Sequence, residues 1–196
     1  MDRKSAKPKL SIVAATRNDN HGGDLNRRMQ LFVDGLFEQC EKFKFFIEII
    51  LVDWNPPEDK GPLAGAINWN KQGRYCAVRL IEVPREIHRL YAHADKLPLF
   101  QMIAKNAGIR RASGDFILST NVGIIFTDDI IEYMANAELE PDIIYRAVRV
   151  DVENQVPVDA ENDEKLLYCK NNINSAPVFG SRITHSPSWT CNCNNY

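Results

Sequence analysis

The chain has 196 residues, of which 44% are hydrophobic and 26% charged, and its formal net charge is −2. That length predicts one domain with a substantial core, and the near-neutral balance gives no electrostatic basis for a dedicated nucleic-acid or membrane-surface binder. No apolar run approaches the roughly 20 residues of a membrane span, and five scattered cysteines, an odd number, argue for a reducing, cytoplasmic setting over a disulfide framework.

Met1 to Lys9 reads as a basic tail, and the apolar stretch behind it is too short and too β-like for a signal peptide. Leu10 to Thr16 is rich in β-branched residues and reads as a strand. From Leu25 to Cys40 the apolar positions Leu25, Met29, Phe32, Val33, Leu36, Phe37 and Cys40 step by threes and fours. That is one face of an amphipathic helix, with Asp24 as its N-cap. Glu48 to Asp53 is apolar between its two acids, as a strand buried on both faces would be. Strand, helix, strand in this order predicts a βαβ unit with a right-handed crossover.

The alternation continues. Trp54 to Ala77, with its prolines and glycines, reads as a lobe holding one short helix over Leu63–Trp69. Val78–Val83 reads as a strand, Leu99–Ala112 as a helix with Leu99, Met102, Ile103 and Ala107 inward, and Asp115–Thr120 as a strand. Asp128–Ala137 follows as a helix behind a Thr127 or Asp128 cap, and Ile143–Val150 as a last strand. Such alternation predicts a layered α/β domain over residues 10–150. Segment 151–196, rich in Asn and acidic residues, shows no apolar period and reads as irregular or partly disordered.

Open parallel sheets bind ligands beyond the carboxyl ends of their strands. Three such ends carry hydrogen-bonding groups here: Thr16, Arg17, Asn18 and Asp19, then a His21-Gly22-Gly23 loop; Asp53, Trp54 and Asn55; and Ser119, Thr120 and Asn121. The glycine turn of dinucleotide binders, the P-loop and the hydrolase nucleophile elbow are all absent. The four histidines show no metal-ligand spacing and read as surface residues, and Cys191 and Cys193 read as free thiols in the tail.

Leu10–Asn18, Ile47–Asn55 and the run from Lys105 through Ala112-Ser113-Gly114-Asp115-Phe116 to Leu118 resemble, in order and spacing, the family-two inverting glycosyltransferases. The resemblance covers about Leu10 to Met134 and implies a GT-A-like, Rossmann-like nucleotide-diphospho-sugar transferase fold. It implies that Thr16, Arg17, Asn18, Asp53, Asn55, Lys105 and Asn121 line a nucleotide-sugar site. Arg17 would pair with phosphate oxygens, Asp53 would accept from base or ribose, and Lys105 would face the nucleotide. Asn106 would touch the strand-end loops, and Gly108 would let a helix approach the sheet.

The implied partners are a nucleotide-sugar donor and a carbohydrate or other hydroxyl acceptor. The implied cofactor is Mn²⁺ or Mg²⁺ held by an Asp-x-Asp motif, but Asn121-Val122-Gly123 stands at that place. Asn121 is then the remaining metal ligand, through a carbonyl without charge. Asp128 and Asp129 are the substitutes, although they read as the acidic first turn of a helix. Segment 151–196 is shorter than an acceptor-binding half, and its acids Asp151 and Glu153 read as solvated loop, so no general base is assigned. The leading expectation is therefore a glycosyltransferase. An inactive or truncated module that holds a nucleotide is the alternative, and a sugar-nucleotide pyrophosphorylase ranks below both.

Overall fold

Leu10–Thr16 forms β1 and Ile47–Trp54 forms β2, and every residue of both is buried. Between them α1, Leu25–Lys42, is two residues longer than its apolar period predicts. The computed structural model describes residues 7–20 and 22–176, and the backbone of 189–192. Cys76–Val83 (β3) pairs with β2, and Phe116–Asn121 (β4) pairs with β1, so the first sheet runs β3-β2-β1-β4 with all strands parallel. The strand order reverses between β1 and β4, which is where such sheets open a crevice.

Alternation along the central strands sends side chains to two different layers. Ile12, Ala14, Ile49 and Leu51 pack with Met29, Phe32, Val33, Leu36 and Phe37 of α1. The same layer holds Leu63 of the single-turn helix α2, Leu63–Ala66, which is shorter than expected. Val13, Ala15, Ile50, Val52 and Trp54 face the other way, around Ala104. A further single turn, α3 (Arg85–His88), follows β3, and Ala104 belongs to α4, Gln101–Ile109.

The inward face of α4 differs from the expected one. Met102 is 73% exposed, whereas Ala104 and Gly108 are buried. Their smallness is the reason: a Cβ on Gly108 would lie 2.6 Å from Val13 Cγ1 and 3.0 Å from Val52 Cγ2. The close helix–sheet approach expected at Gly108 is thus present. Gly108→Ala gains about 1 kcal/mol of helix propensity, and about 1–3 kcal/mol of overpacking against two stiff valines outweighs it. A fall in Tm of a few degrees is expected, read by thermal unfolding.

The start of α1 also departs from expectation. Asp24 precedes the helix but adopts φ 46°, ψ 45° and makes no side-chain cap. Asn20 Oδ1 accepts from the Leu25 amide instead, at 3.4 Å. Gly22 and Gly23 (φ 69° and 73°) make up a left-handed run with Asp24.

Beyond β4 the chain builds a second sheet from β5 (Ile124–Phe126), β6 (Val148–Val152), β7 (Ile173–Ser175) and β8 (Trp189–Asn192), in the order β5-β8-β6-β7. The helix between β5 and β6 is α5, Asp128–Asn136, which starts where the sequence predicts. The strand expected over Ile143–Val150 is shifted to Val148–Val152. Asp142 takes a left-handed turn (φ 64°), Ile143 to Tyr145 are exposed, and the pairing partners on β8 and β7 lie opposite the later residues.

Where the sequence predicts irregular chain after Asp151, α6 (Asn162–Asn171) packs on α1. Its buried residues are Asn162, Lys165 and Cys169, so the face that docks is largely polar. The Asn162 amide donates to Glu38 Oε2 at 2.8 Å, and the fully buried Lys165 Nζ lies 3.8 Å from Glu38 Oε1. No helix among the described residues is long and apolar enough to cross a membrane.

Candidate functional site

The parallel register brings the carboxyl ends of the central strands to one edge. Thr16 lies beside Asp53, Asp53 beside Glu82, and Ala15 beside Asn121. Alternation then divides the expected site residues between the two faces. Asp53 follows Ile49 and Leu51 to the α1 face, and Thr16 joins it there, its hydroxyl 3.5 Å from Met29 Sδ. Asn121 lies on the α4 face, where Lys105 reaches it.

Asp53 is 2% exposed, and among the described residues neither carboxylate oxygen has a hydrogen-bond partner. A buried acceptor left without a donor carries a desolvation penalty. Burial, with the nearby carboxylates of Glu82 and Asp19, pushes Asp53 up from the ordinary 3.8 to about 7, and Arg17 opposes the shift. Near neutral pH this carboxyl is therefore poised between its two forms.

Arg17 is fixed in place by two contacts. Its Nε donates to the Asn55 carbonyl at 2.8 Å and its Nη1 to Asp19 Oδ2 at 2.8 Å. Asn55 (φ 51°) turns the chain after β2 and ties it, through Nδ2, to the Pro98 carbonyl at 3.0 Å. Asn18 bridges to the Gly61 carbonyl at 2.7 Å and is buried. Arg17, Asn18, Asp53 and Asn55 thus come together around the ends of β1 and β2.

Lys105 and Asn121 form a separate pair. Asn121 Oδ1 accepts from Lys105 Nζ at 2.8 Å and from Gln101 Nε2 at 2.7 Å. Burial holds the Lys105 ammonium below its usual value. The carbonyl expected to ligate a divalent cation is thus occupied by an ammonium, and a cation there would have to expel a like charge. The residues present do not fit Mn²⁺ or Mg²⁺ at that place. Asp128 is engaged elsewhere, by Gln39 Nε2 at 2.8 Å and Lys42 Nζ at 2.5 Å. Gly123 has φ 83°, so the β4–β5 turn itself calls for glycine. Asn106 is exposed on α4, against the expected contact with the strand-end loops.

A cavity of about 820 Å³ lies beside Arg17 and Asn55. Its other walls come from the turns after β2 and β3, including Glu58, Arg85, Arg89, Tyr91 and His93. Behind it Trp54, His88, Tyr91 and Phe100 pack as an aromatic cluster, with Trp54 and Tyr91 centroids 5.7 Å apart. Trp54 Nε1 donates to His88 Nδ1 at 2.8 Å, so the His88 proton sits on Nε2, which donates to the Ala94 carbonyl at 3.0 Å. His88 is 3% exposed, not the surface residue expected. His21, His185 and Cys193 lie outside the described residues, as does the side chain of Cys191.

Sequence reasoning missed Arg85, Arg89 and Tyr91. The signal was available: the strand-end rule applied to β3, which ends at Val83-Pro84, leads straight to them. Among the described residues no group of three or more His, Cys, Asp or Glu is placed to hold a metal ion. No protein-family model and no curated protein matches the chain.

Proposed function

We propose that this chain is the donor-binding domain of a glycosyltransferase that uses a nucleoside-diphosphate sugar. The observation that carries the reading is the Asp53 carboxyl: buried at the carboxyl edge of a parallel sheet, beside a fixed arginine, with both oxygens unused by any of the described residues. A nucleobase offers the N–H donors that such a carboxylate accepts, and the diphosphate offers the charge that Arg17 pairs with. In the reaction the acceptor hydroxyl loses its proton to a base while its oxygen bonds to the anomeric carbon. The bond from that carbon to the diphosphate oxygen breaks, and the nucleoside diphosphate leaves with the electron pair. The domain's part is to hold the donor and stabilise the leaving charge.

The Lys105–Asn121 pair favours a second reading, a module that holds the nucleotide without transferring the sugar. Both readings predict that uridine or guanosine diphosphate stabilises the folded state by mass action. At one hundred times Kd the gain is about 2.7 kcal/mol, a rise in Tm of several degrees. Release of sugar from the matching donor separates the transferase from the module. No thermal shift with either diphosphate, at millimolar concentration and pH 8, would sink both.

A further inference from the structure

We propose that the cavity beside Arg17 is a diphosphate subsite, in which Arg17, Arg85 and Arg89 supply the counter-charge that the missing carboxylate motif would otherwise deliver through a metal. This rests on the nucleotide reading above, which supplies the source of the diphosphate.

Three guanidinium side chains line one cavity: Arg17 from the end of β1, Arg85 at the start of α3, and Arg89 just past its end. Guanidinium is cationic throughout the working pH range, and its fork matches paired phosphate oxygens. Each of the three has donors to offer. Arg17 spends Nε and Nη1 on Asn55 and Asp19, which aims the group and, among the described residues, leaves Nη2 over. Arg85 pairs with Glu58, and the two side chains are 47% and 79% exposed. So exposed a pair is screened and contributes little, so releasing Glu58 to admit a phosphate costs little. Arg89 has no ion-pair partner among the described residues, and burial does not withhold it.

The wall between them is stiff. Tyr91 lines the cavity with its ring 5.5 Å from Phe100 and 5.7 Å from Trp54. The Trp54–His88–Ala94 chain of hydrogen bonds fixes the turn after α3 on which Arg89 and Tyr91 sit. A volume of about 820 Å³ admits a nucleoside diphosphate. A diphosphate carries adjacent anionic groups, so separate cations engage it better than they engage a monophosphate.

The test is isothermal titration of the whole chain at low and moderate salt with inorganic pyrophosphate, inorganic phosphate, and uridine and guanosine diphosphates. The variants are Arg85→Gln, Arg89→Gln and, as a control for net charge, Arg146→Gln on the exposed 143–146 loop. Loss of one charge-assisted contact is expected to weaken diphosphate binding by at least about tenfold. Arg85→Gln and Arg89→Gln should do so for pyrophosphate and nucleotide alike, and Arg146→Gln should not. Equal nucleotide affinity in the parent and both cavity variants would overturn the subsite while the nucleotide reading stands. Pyrophosphate binding that depends on these arginines, with nucleotides no tighter, would keep the subsite and overturn the nucleotide reading. No binding of any of the four ligands would overturn both.

Discussion

Asp53→Asn is expected to melt on the order of 10 °C above the parent at pH 8 and to lose its nucleotide response. The reason is the cost of holding that carboxyl ionised inside the fold. Asp53 is raised from 3.8 to about 7, roughly three pH units, which corresponds to about 4 kcal/mol once the group is fully ionised. The sign follows from proton linkage. Below the unfolded value the group is neutral in both states and costs nothing. Between about pH 4 and pH 7 the folded state holds the extra proton, so stability falls as pH rises, and above about 7 the whole penalty is present. Asparagine does not ionise, so the two melting curves should converge near pH 4 and separate as pH increases. Binding runs the other way: an N–H donor needs the carboxylate, so nucleotide affinity in the parent should fall as pH drops through about 7. A variant no more stable than the parent at pH 8 would show that Asp53 is satisfied in solution.

Glu48→Ala is expected to damage the sheet by about 2–4 kcal/mol, the cost of taking the acceptor from the buried Ser11 hydroxyl and breaking charge-assisted bonds to Ser113, while Arg79, 45% exposed, keeps its solvent. Glu48 Oε2 accepts from the Ser11 hydroxyl at 2.7 Å and from the Ser113 amide and hydroxyl at 2.9 and 3.0 Å. Arg79 closes the pair on Oε1 at 2.9 Å. Burial alone would raise this carboxyl. The Ser113 amide, the two hydroxyls and Arg79 outweigh it and hold it below its usual 4.5. A depressed acid contributes stability above its unfolded value and loses that stability as pH falls through the lower folded value. The Glu48→Ala penalty should therefore be full at pH 6 and shrink in strong acid, which denaturant titration at pH 6 and pH 3 would show. An unchanged midpoint at pH 6 would mean that water replaces the carboxylate without loss.

These contacts explain part of what could be read in the sequence. Ala112-Ser113-Gly114-Asp115-Phe116 carried much of the glycosyltransferase resemblance, and its structural work is visible. Ser113 binds Glu48, and a Cβ on Gly114 would sit 2.6 Å from the Ser11 amide nitrogen. Those residues set β4 against β1, and a pattern of that kind speaks first to fold. α1 was legible because its burial follows a helical period, and β1 and β2 because they are short apolar runs rich in β-branched residues, whereas β5, β7 and β8 were not expected. Nor was α6 legible, because its buried face is Asn162, Lys165 and Cys169, too polar to leave an apolar rhythm to find.

The site was legible to a lesser degree. Strand-end logic located Arg17, Asp53 and Asn55 correctly at one edge. It could not show that alternation turns Asn121 away toward Lys105, since adjacent strands end on opposite phases. Nor does any short-range pattern announce that the turn after β3 folds back beside Arg17.

The second sheet has a bearing on how the chain assembles during synthesis. Its latest strand in sequence, β8, is inserted between β5 and β6, so that Ile124 pairs with Asn192 and Val148 with Trp189. A ribosome therefore releases β5 long before its hydrogen-bonding neighbour exists. The first sheet needs nothing beyond β4 and can form while the remainder is still being made. Pairing β8 with β5 and β6 comes last, and it closes long loops whose chain-entropy cost is met before the contacts reward it. Until then the lone backbone edge of β5 is open to pairing with other chains, the hazard that unpaired strands carry.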